Sequence, residues 1–132
     1  MTRAMRLDPF EAVDGLSFAL LPPELVQQLG WPQHERRNAV GLNEYDYEER
    51  ILRFQDSGRL EEVTVRAWVL HLGSLAIPFA HLEAFVRAHD TEIFERAGFL
   101  VSPRYGFAFA PDCPPWITAL APHGVEAWRG LS

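Results

Sequence analysis

Lysine is missing from this chain: all twelve basic residues are arginine. That excludes a Schiff-base lysine and the lysine of a phosphate-binding P-loop. An all-arginine basic set also suits the GC-rich codons of many bacterial genomes. Cysteine is nearly missing too. Cys113 stands alone, so no disulfide can form within the chain. This fits a reducing cytosol and predicts a cytoplasmic protein. No apolar run reaches the length of a membrane span. The longest, over residues 67–79, is interrupted by His71, Gly73, Ser74 and Pro78. The N-terminal residues carry Arg3 and Arg6 with no apolar stretch behind them, so they do not read as a secretory signal.

Metal and nucleophile patterns are also sparse. His34, His71, His81, His89 and His123 are scattered. A metalloprotease helix needs two histidines one turn apart with a glutamate beside the first. His81 and His89 are eight apart and lack that glutamate, so no metal and no cofactor is expected. Cys113 lies in a proline-rich turn, not at a helix N-terminus that would lower its pKa. Ser57 and Ser102 lack a Gly-x-Ser-x-Gly elbow. The expectation is therefore no catalytic residue and no enzyme.

What remains is a chain of 132 residues, 48% hydrophobic, with a net charge of −6. Its size and apolar content suit one globular domain. The acidic balance argues against a nucleic-acid backbone as partner and suits a basic protein surface.

Periodicity supplies the architecture. The clearest feature is the pair of interleaved runs at 48–54 and 61–70 flanking Asp56-Ser57-Gly58, which reads as a β-hairpin. Its second strand continues on the pattern through Leu72. Pro23 near a first helical position and Leu25, Val26 and Leu29 on one face predict a helix over 23–29, closed by Gly30. Residues 33–44 read as a loop. Phe79, Leu82, Val86, Ile93 and Ala97 follow helical spacing and predict one long helix over 78–97, capped by Gly98. Apolar runs at 104–110 and 116–121 predict a second hairpin around a proline-rich turn. Val125 to Trp128 read as a short helical tail. The expected fold is α+β: a mostly antiparallel sheet from two helix-then-hairpin halves, with the long helix packed on it. Residues 1–15 are expected to be a loosely ordered arm, and 16–132 a single domain.

Two binding regions suggest themselves. Glu44, Tyr45, Asp46, Tyr47, Glu48 and Glu49 lead into the first hairpin, and Glu61 and Glu62 lie across its turn. Together they read as a negative patch with tyrosine anchors for a protein partner. A plainer reading is a solvated edge whose charges deter sheet-to-sheet pairing. A second candidate is a small-molecule or enzyme pocket between the 78–97 helix and the 104–121 hairpin, using Arg104, Tyr105 and Trp116.

The helix Pro23-Glu24-Leu25-Val26-Gln27-Gln28-Leu29-Gly30-Trp31-Pro32 is followed by a hairpin with Asp56-Ser57-Gly58-Arg59-Leu60 at its turn. This order resembles the helix–hairpin unit of the β-lactamase inhibitory proteins, of small outer-membrane assembly lipoproteins, and of immunity proteins that neutralise secreted bacterial toxins. The likeness covers 16–72 and more loosely 78–121. It implies a non-catalytic cytosolic protein, associated with a secretion system, that occludes a cognate toxin. It transfers no individual residue role.

Overall fold

The computed structural model describes residues 3–130. The chain runs β1 (Ala4–Asp8), β2 (Ala12–Val13), β3 (Leu16–Ser17), α1 (Pro22–Leu29), β4 (His34–Arg37), β5 (Asn43–Asp46), β6 (Arg50–Phe54) and β7 (Leu60–Arg66). It continues with β8 (Val69–Leu72), β9 (Leu75–Pro78), a 3-10 turn (Phe79–His81), α2 (Leu82–His89), β10 (Phe94–Arg96), β11 (Phe99–Ser102), β12 (Phe107–Phe109), β13 (Trp116–Leu120) and α3 (Gly124–Arg129). Strand accounts for 41% of residues and helix for 20%. The α+β architecture with a long packed helix is thus replaced by a mostly β fold.

Two sheets carry it. One has five strands in the order β3-β2-β1-β8-β9, and the other eight in the order β10-β11-β12-β13-β7-β6-β5-β4. Pairing is antiparallel throughout except between β1 and β8. The two hairpins seen in the sequence, β6–β7 and β12–β13, lie side by side through the β7–β13 pair. Gly58 has φ +91°, which glycine adopts without steric cost, and it closes the β6–β7 turn by donating its N–H to Gln55 O.

The helix over 78–97 does not exist as one element. Leu75–Pro78 is a strand, the helix proper is Leu82–His89, and Phe94–Arg96 is a strand again. Asp90 ends the helix. Its buried carboxylate accepts hydrogen bonds from the Glu92 N–H, the Ser102 hydroxyl and the Arg104 N–H. Side-chain capture of nearby donors competes with continuing the helix. Ile93 and Phe94 then follow the β preference of branched and aromatic residues. Ala97 and Gly98, with φ +52° and +85°, make the two-residue turn from β10 to β11. Both φ values positive is the hairpin turn geometry, so Gly98 turns a hairpin and does not cap a helix.

Three further expectations shift. Residues 33–44 hold β4 and much of the approach to β5, so the polar stretch is an edge hairpin. The second strand of the first hairpin stops at Arg66. The Ala67 and Trp68 N–H groups donate to Pro115 O and Arg3 O, and the chain crosses into the other sheet as β8. The segment read as a loose arm holds the central strand of the five-stranded sheet. Met5 and Leu7 are fully buried there, which no solvated arm could sustain.

The main core lies between the sheets and beneath α1 and α2. It gathers Met5, Leu7, Leu25, Leu52, Phe54, Val63, Val65, Leu70, Leu82, Val86, Phe107, Phe109 and Ile117. Phe109 meets Phe79 edge-on at 5.8 Å and stacks on Phe107 at 5.9 Å. A second, smaller cluster sits on the opposite face of the eight-stranded sheet. There Val101, Ala108 and Leu120 are covered by Val125 of α3, with Phe10, Phe94 and Trp128 at the margin.

Candidate functional site

The outer face of the eight-stranded sheet, away from the main core, is only half covered. Strand register explains what the other half displays. Arg36 pairs with Glu44, Glu44 with Arg53, Arg53 with Glu62, and Glu62 with Leu120. Directly paired residues share a face. Four adjacent strands therefore carry an alternating ladder of charge that ends where the apolar patch under α3 begins.

The ladder is closely bonded. Arg36 Nε donates to Glu44 Oε1 at 2.8 Å and Arg36 Nη2 to Asp46 Oδ2 at 3.0 Å. Arg53 Nε donates to Glu44 Oε2 at 2.6 Å, and Arg53 Nη1 donates to Glu62 Oε1 at 3.2 Å and Thr64 Oγ1 at 2.6 Å. Thr64 and Thr118 share a hydrogen bond of 2.8 Å, and the Trp128 indole N–H donates to Glu62 Oε2 at 3.2 Å.

The two glutamates differ. Burial disfavours the charge of Glu44, but Arg53, Asn38 and Arg36 outweigh it and hold its pKa below the ordinary value. Burial dominates at Glu62 and pushes its pKa up against the pull of Arg53 and Trp128. The same guanidinium thus stands between one carboxyl group whose pKa is lowered and one whose pKa is raised.

A β-bulge adds a third carboxylate. Arg53 faces Glu62 and Phe54 faces Leu60, which leaves Glu61 as the extra residue. Glu61 and Glu62 consequently line the same cleft, of about 570 Å³, between the β4–β5 turn and α3. Asn38, Val40 and Leu42 form one wall, Phe99, Ala127 and Trp128 the other, with Glu44, Arg53 and Thr118 among the floor residues. Four carboxylates and one guanidinium line it, since Asp56 joins the three glutamates. Asp56 is itself paired with Arg37 and Asn43.

The residues picked out in the sequence are therefore divided. Glu44, Glu61 and Glu62 come together in the cleft. Asp46 lies on the same face one row away and holds Arg36. Glu48 and Glu49 sit at the β5–β6 turn, at the opposite end of the strands. Glu48 is exposed with φ +72°, and Glu49 faces Arg3 and Arg66 at 3.7 and 3.8 Å. Tyr45 and Tyr47 point to the other face and pack against the main core. Tyr45 meets Phe54 edge-on at 5.3 Å, and the Tyr47 hydroxyl donates to Gly30 O at 2.9 Å.

The region of the second expected pocket holds a hollow of about 260 Å³, lined by Asp90, Thr91, Glu92, Pro103 and Arg104, beside a packed cluster. Phe85 packs on Tyr105 at 5.4 Å, Arg104 stacks on the Tyr105 ring, and its guanidinium donates to His89 O at 2.7 Å. Trp116 lies at the far end of the β12–β13 hairpin, because the register Phe107↔Ala119 and Phe109↔Ile117 carries it away from Tyr105. His89 is exposed against Phe85, and Cys113 is exposed in its turn.

Arg53, Asn38, Thr118, His123 and Trp128 were not picked out from the sequence. For Arg53 the signal was present: the hairpin register around Asp56-Ser57-Gly58 sets it opposite Glu62. The others join the site only through the β7–β13 pair and the return of α3. Among the described residues, no group of three or more His, Cys, Asp or Glu is placed to hold a metal ion, and no helix is long and apolar enough to cross a membrane. Comparison with protein-family models, with curated proteins and with solved structures finds no match.

Proposed function

We propose that this chain is a non-catalytic protein-binding domain that docks a protein partner on the open half of the eight-stranded sheet. The observation that carries the reading is the cleft itself: among the described residues, a sheet face left uncovered between the β4–β5 turn and α3, lined by Glu44, Asp56, Glu61 and Glu62, of which Arg36, Arg37 and Arg53 pair all but Glu61. Glu61, with no arginine partner among the described residues, leaves the face more favourable to a basic partner than to an acidic one. Val40, 63% exposed on one lip, and the Phe99–Trp128 pair on the other supply apolar contact around the charges.

The specific form we favour is cytoplasmic immunity, in which the domain covers a basic active-site cleft of a toxin encoded beside it. Occlusion asks only for a stable, complementary face and no reacting group. In this form Glu44, Glu61 and Glu62 set the charge of the contact. Glu48 and Glu49 lie outside it, and Tyr45 and Tyr47 support the sheet from behind.

Co-purification with the product of the neighbouring gene tests the reading, with that product's toxicity in the host as second readout. A stoichiometric complex and relief of toxicity are expected. Ala127→Arg and Val40→Arg place bulk and positive charge on the two lips of the cleft, at exposed positions that leave the fold intact. Each should abolish the complex. A complex unaffected by both substitutions would move the binding face elsewhere.

A further inference from the structure

A second hollow, of about 530 Å³, shares no lining residue with the cleft. The β1–β2 turn, the β3–α1 connection, the start of β7 and the β13–α3 connection enclose it, with Phe10, Phe18 and Leu60 among its apolar walls. One of those walls is built under strain. Asp8-Pro9-Phe10-Glu11 is a turn closed by the Glu11 N–H donating to Asp8 O at 2.9 Å. Pro9 takes its first central position and Phe10 its second, with φ +65°. That second position suits glycine or asparagine, and a bulky ring there is an outlier. The Phe10 ring lies against Gly106, where a Cβ would come within 2.8 Å of it. It borders the smaller core cluster as well as the hollow. Strain of this kind persists where the surroundings over-determine it, and it concentrates at ligand sites.

Arg59 is the one arginine in this lining. Among the described residues no carboxylate lies within salt-bridge reach of its guanidinium. Its Nε donates to Gln55 Oε1 at 3.0 Å, and Gln55 Nε2 donates in turn to Glu61 at 2.9 Å. The amide fixes one side of the guanidinium and leaves the two Nη groups for another acceptor. The positive field of Arg59 is felt inside the hollow. After burial, it is the next cause that lowers the pKa of His123, which lines the same space. Glu11 is the only carboxylate in the lining, and it is exposed at the rim, where solvent screens it.

We infer that this hollow binds an apolar carboxylate, whose oxygens accept from the Nη groups of Arg59 while its hydrocarbon part lies on Phe10, Phe18 and Leu60. A guanidinium presents its forked donors to a carboxylate in matched geometry. Apolar walls with one placed charge hold the rest of such a molecule and set its orientation. The site goes beyond the protein-binding reading and uses none of the cleft residues. A free acid and the C-terminal residue of a peptide offer the same chemistry.

The probe is 3-phenylpropionate, with 3-phenylpropionamide as its uncharged counterpart. NMR titration of the full chain should show saturable shifts at Phe10, Phe18, Leu60 and the Arg59 side-chain N–H. The amide should bind about tenfold more weakly, the size of one charge-assisted hydrogen bond. Arg59→Gln should weaken the acid by about the same factor. Arg50→Gln removes an arginine that also lacks a carboxylate partner but lies outside the hollow, and should leave affinity within about twofold. Glu11→Gln, by removing the opposing rim charge, should tighten binding about twofold. Phe10→Gly suits the turn and removes an aromatic wall, so binding should fall about fivefold. Circular dichroism melts confirm that each variant is folded, and the Arg59→Gln result decides if Phe10→Gly is not. An acetylated tripeptide ending in phenylalanine carries the same acid at a chain end. Tighter binding of the tripeptide assigns the site to the C-terminus of another protein, and equal or tighter binding of the free acid assigns it to a small molecule. Equal binding of the acid and its amide, equal weakening by Arg59→Gln and Arg50→Gln, shifts confined to residues outside the hollow, or no saturable binding at all would overturn the inference.

Discussion

The outer face of the eight-stranded sheet has two halves built by the same alternation of side chains and put to opposite uses. Toward β11, β12 and β13 the outward residues are Val101, Ala108 and Leu120, and α3 closes over them with Val125 and Trp128. Toward β4, β5 and β6 they are Arg36, Glu44 and Arg53, and among the described residues no element covers them. Small apolar residues let a short helix approach and bury area. A ladder of paired charges satisfies its own groups across the strands without a helix over it. It also lies beside β4, whose four residues are all exposed at the sheet edge, where charge discourages pairing with another chain. Coverage follows the residue on each strand that faces outward, not the strand's position in the chain.

The largest effect that sharpens this contrast should come from the covered half. Leu120 is fully buried, and Leu120→Ala should cost about 2–5 kcal/mol in chemical denaturation. A loss under about 1 kcal/mol, the size of a surface contact, would mean that α3 does not form a true satellite core.

The boundary between the halves should divide its two glutamates. Glu44→Gln leaves Arg36 and Arg53 short of a common acceptor and should cost about 1–3 kcal/mol near neutral pH. Glu62→Gln should cost less than half as much, because burial already disfavours its charge. The pH dependence has opposite signs. Glu44, with its folded pKa lowered, contributes stability that is present above the ordinary carboxylate range and lost as pH falls through the folded value. Glu62, with its folded pKa raised, contributes stability that is full below the ordinary range and lost as pH rises through the folded value. Denaturation of both variants between about pH 4 and 8 reads this out. The Glu62→Gln difference should shift in the variant's favour as pH rises, and the Glu44→Gln penalty should grow. Parallel pH profiles for the two variants would refute the division.

A smaller effect is expected at Gly106, which has φ +69° and lies against Phe10 at the edge of the covered half. A Cβ there would come within 2.8 Å of the Phe10 ring. Gly106→Ala should cost about 1–2 kcal/mol, from strained backbone and a displaced ring. The smallest effect belongs to the open half. Arg36 is half exposed, and Arg36→Ala should change stability by under about 1 kcal/mol. A cost comparable to that of Leu120→Ala would show that the ladder supports the fold as the core does, and would erase the contrast.

Much of the local order was legible in the sequence. The helix over 23–29, the β6–β7 hairpin around Asp56-Ser57-Gly58 and the β12–β13 hairpin appear where their turn and periodicity signals lie. One hairpin signal went unused: Asp14-Gly15, with φ +50° and +83°, turns β2 into β3. The long helix failed for a physical reason. Phe79, Leu82, Val86 and Ile93 do recur at helical spacing, but periodicity carries no information about Asp90, whose carboxylate finds Ser102 and Arg104 only after the chain folds back. Within the acidic run, Glu44 and Asp46 lie on one face of β5 and Tyr45 on the other, while Glu48 falls in the turn. Which face was free depended on the location of the main core.

By itself the sequence determined what depends on near neighbours. The missing lysine and lone cysteine restrict the chemistry, turn residues set the hairpins, and alternation assigns each strand two unlike faces. Only the tertiary structure decided what depends on distant partners. It set β7 beside β13, made Ala4–Asp8 the central strand of the second sheet, brought His123 to Glu61, and laid α3 over one half of a face and not the other. Such pairings join residues far apart in the chain, and their free energy comes from burial and register that exist only once both elements are in place.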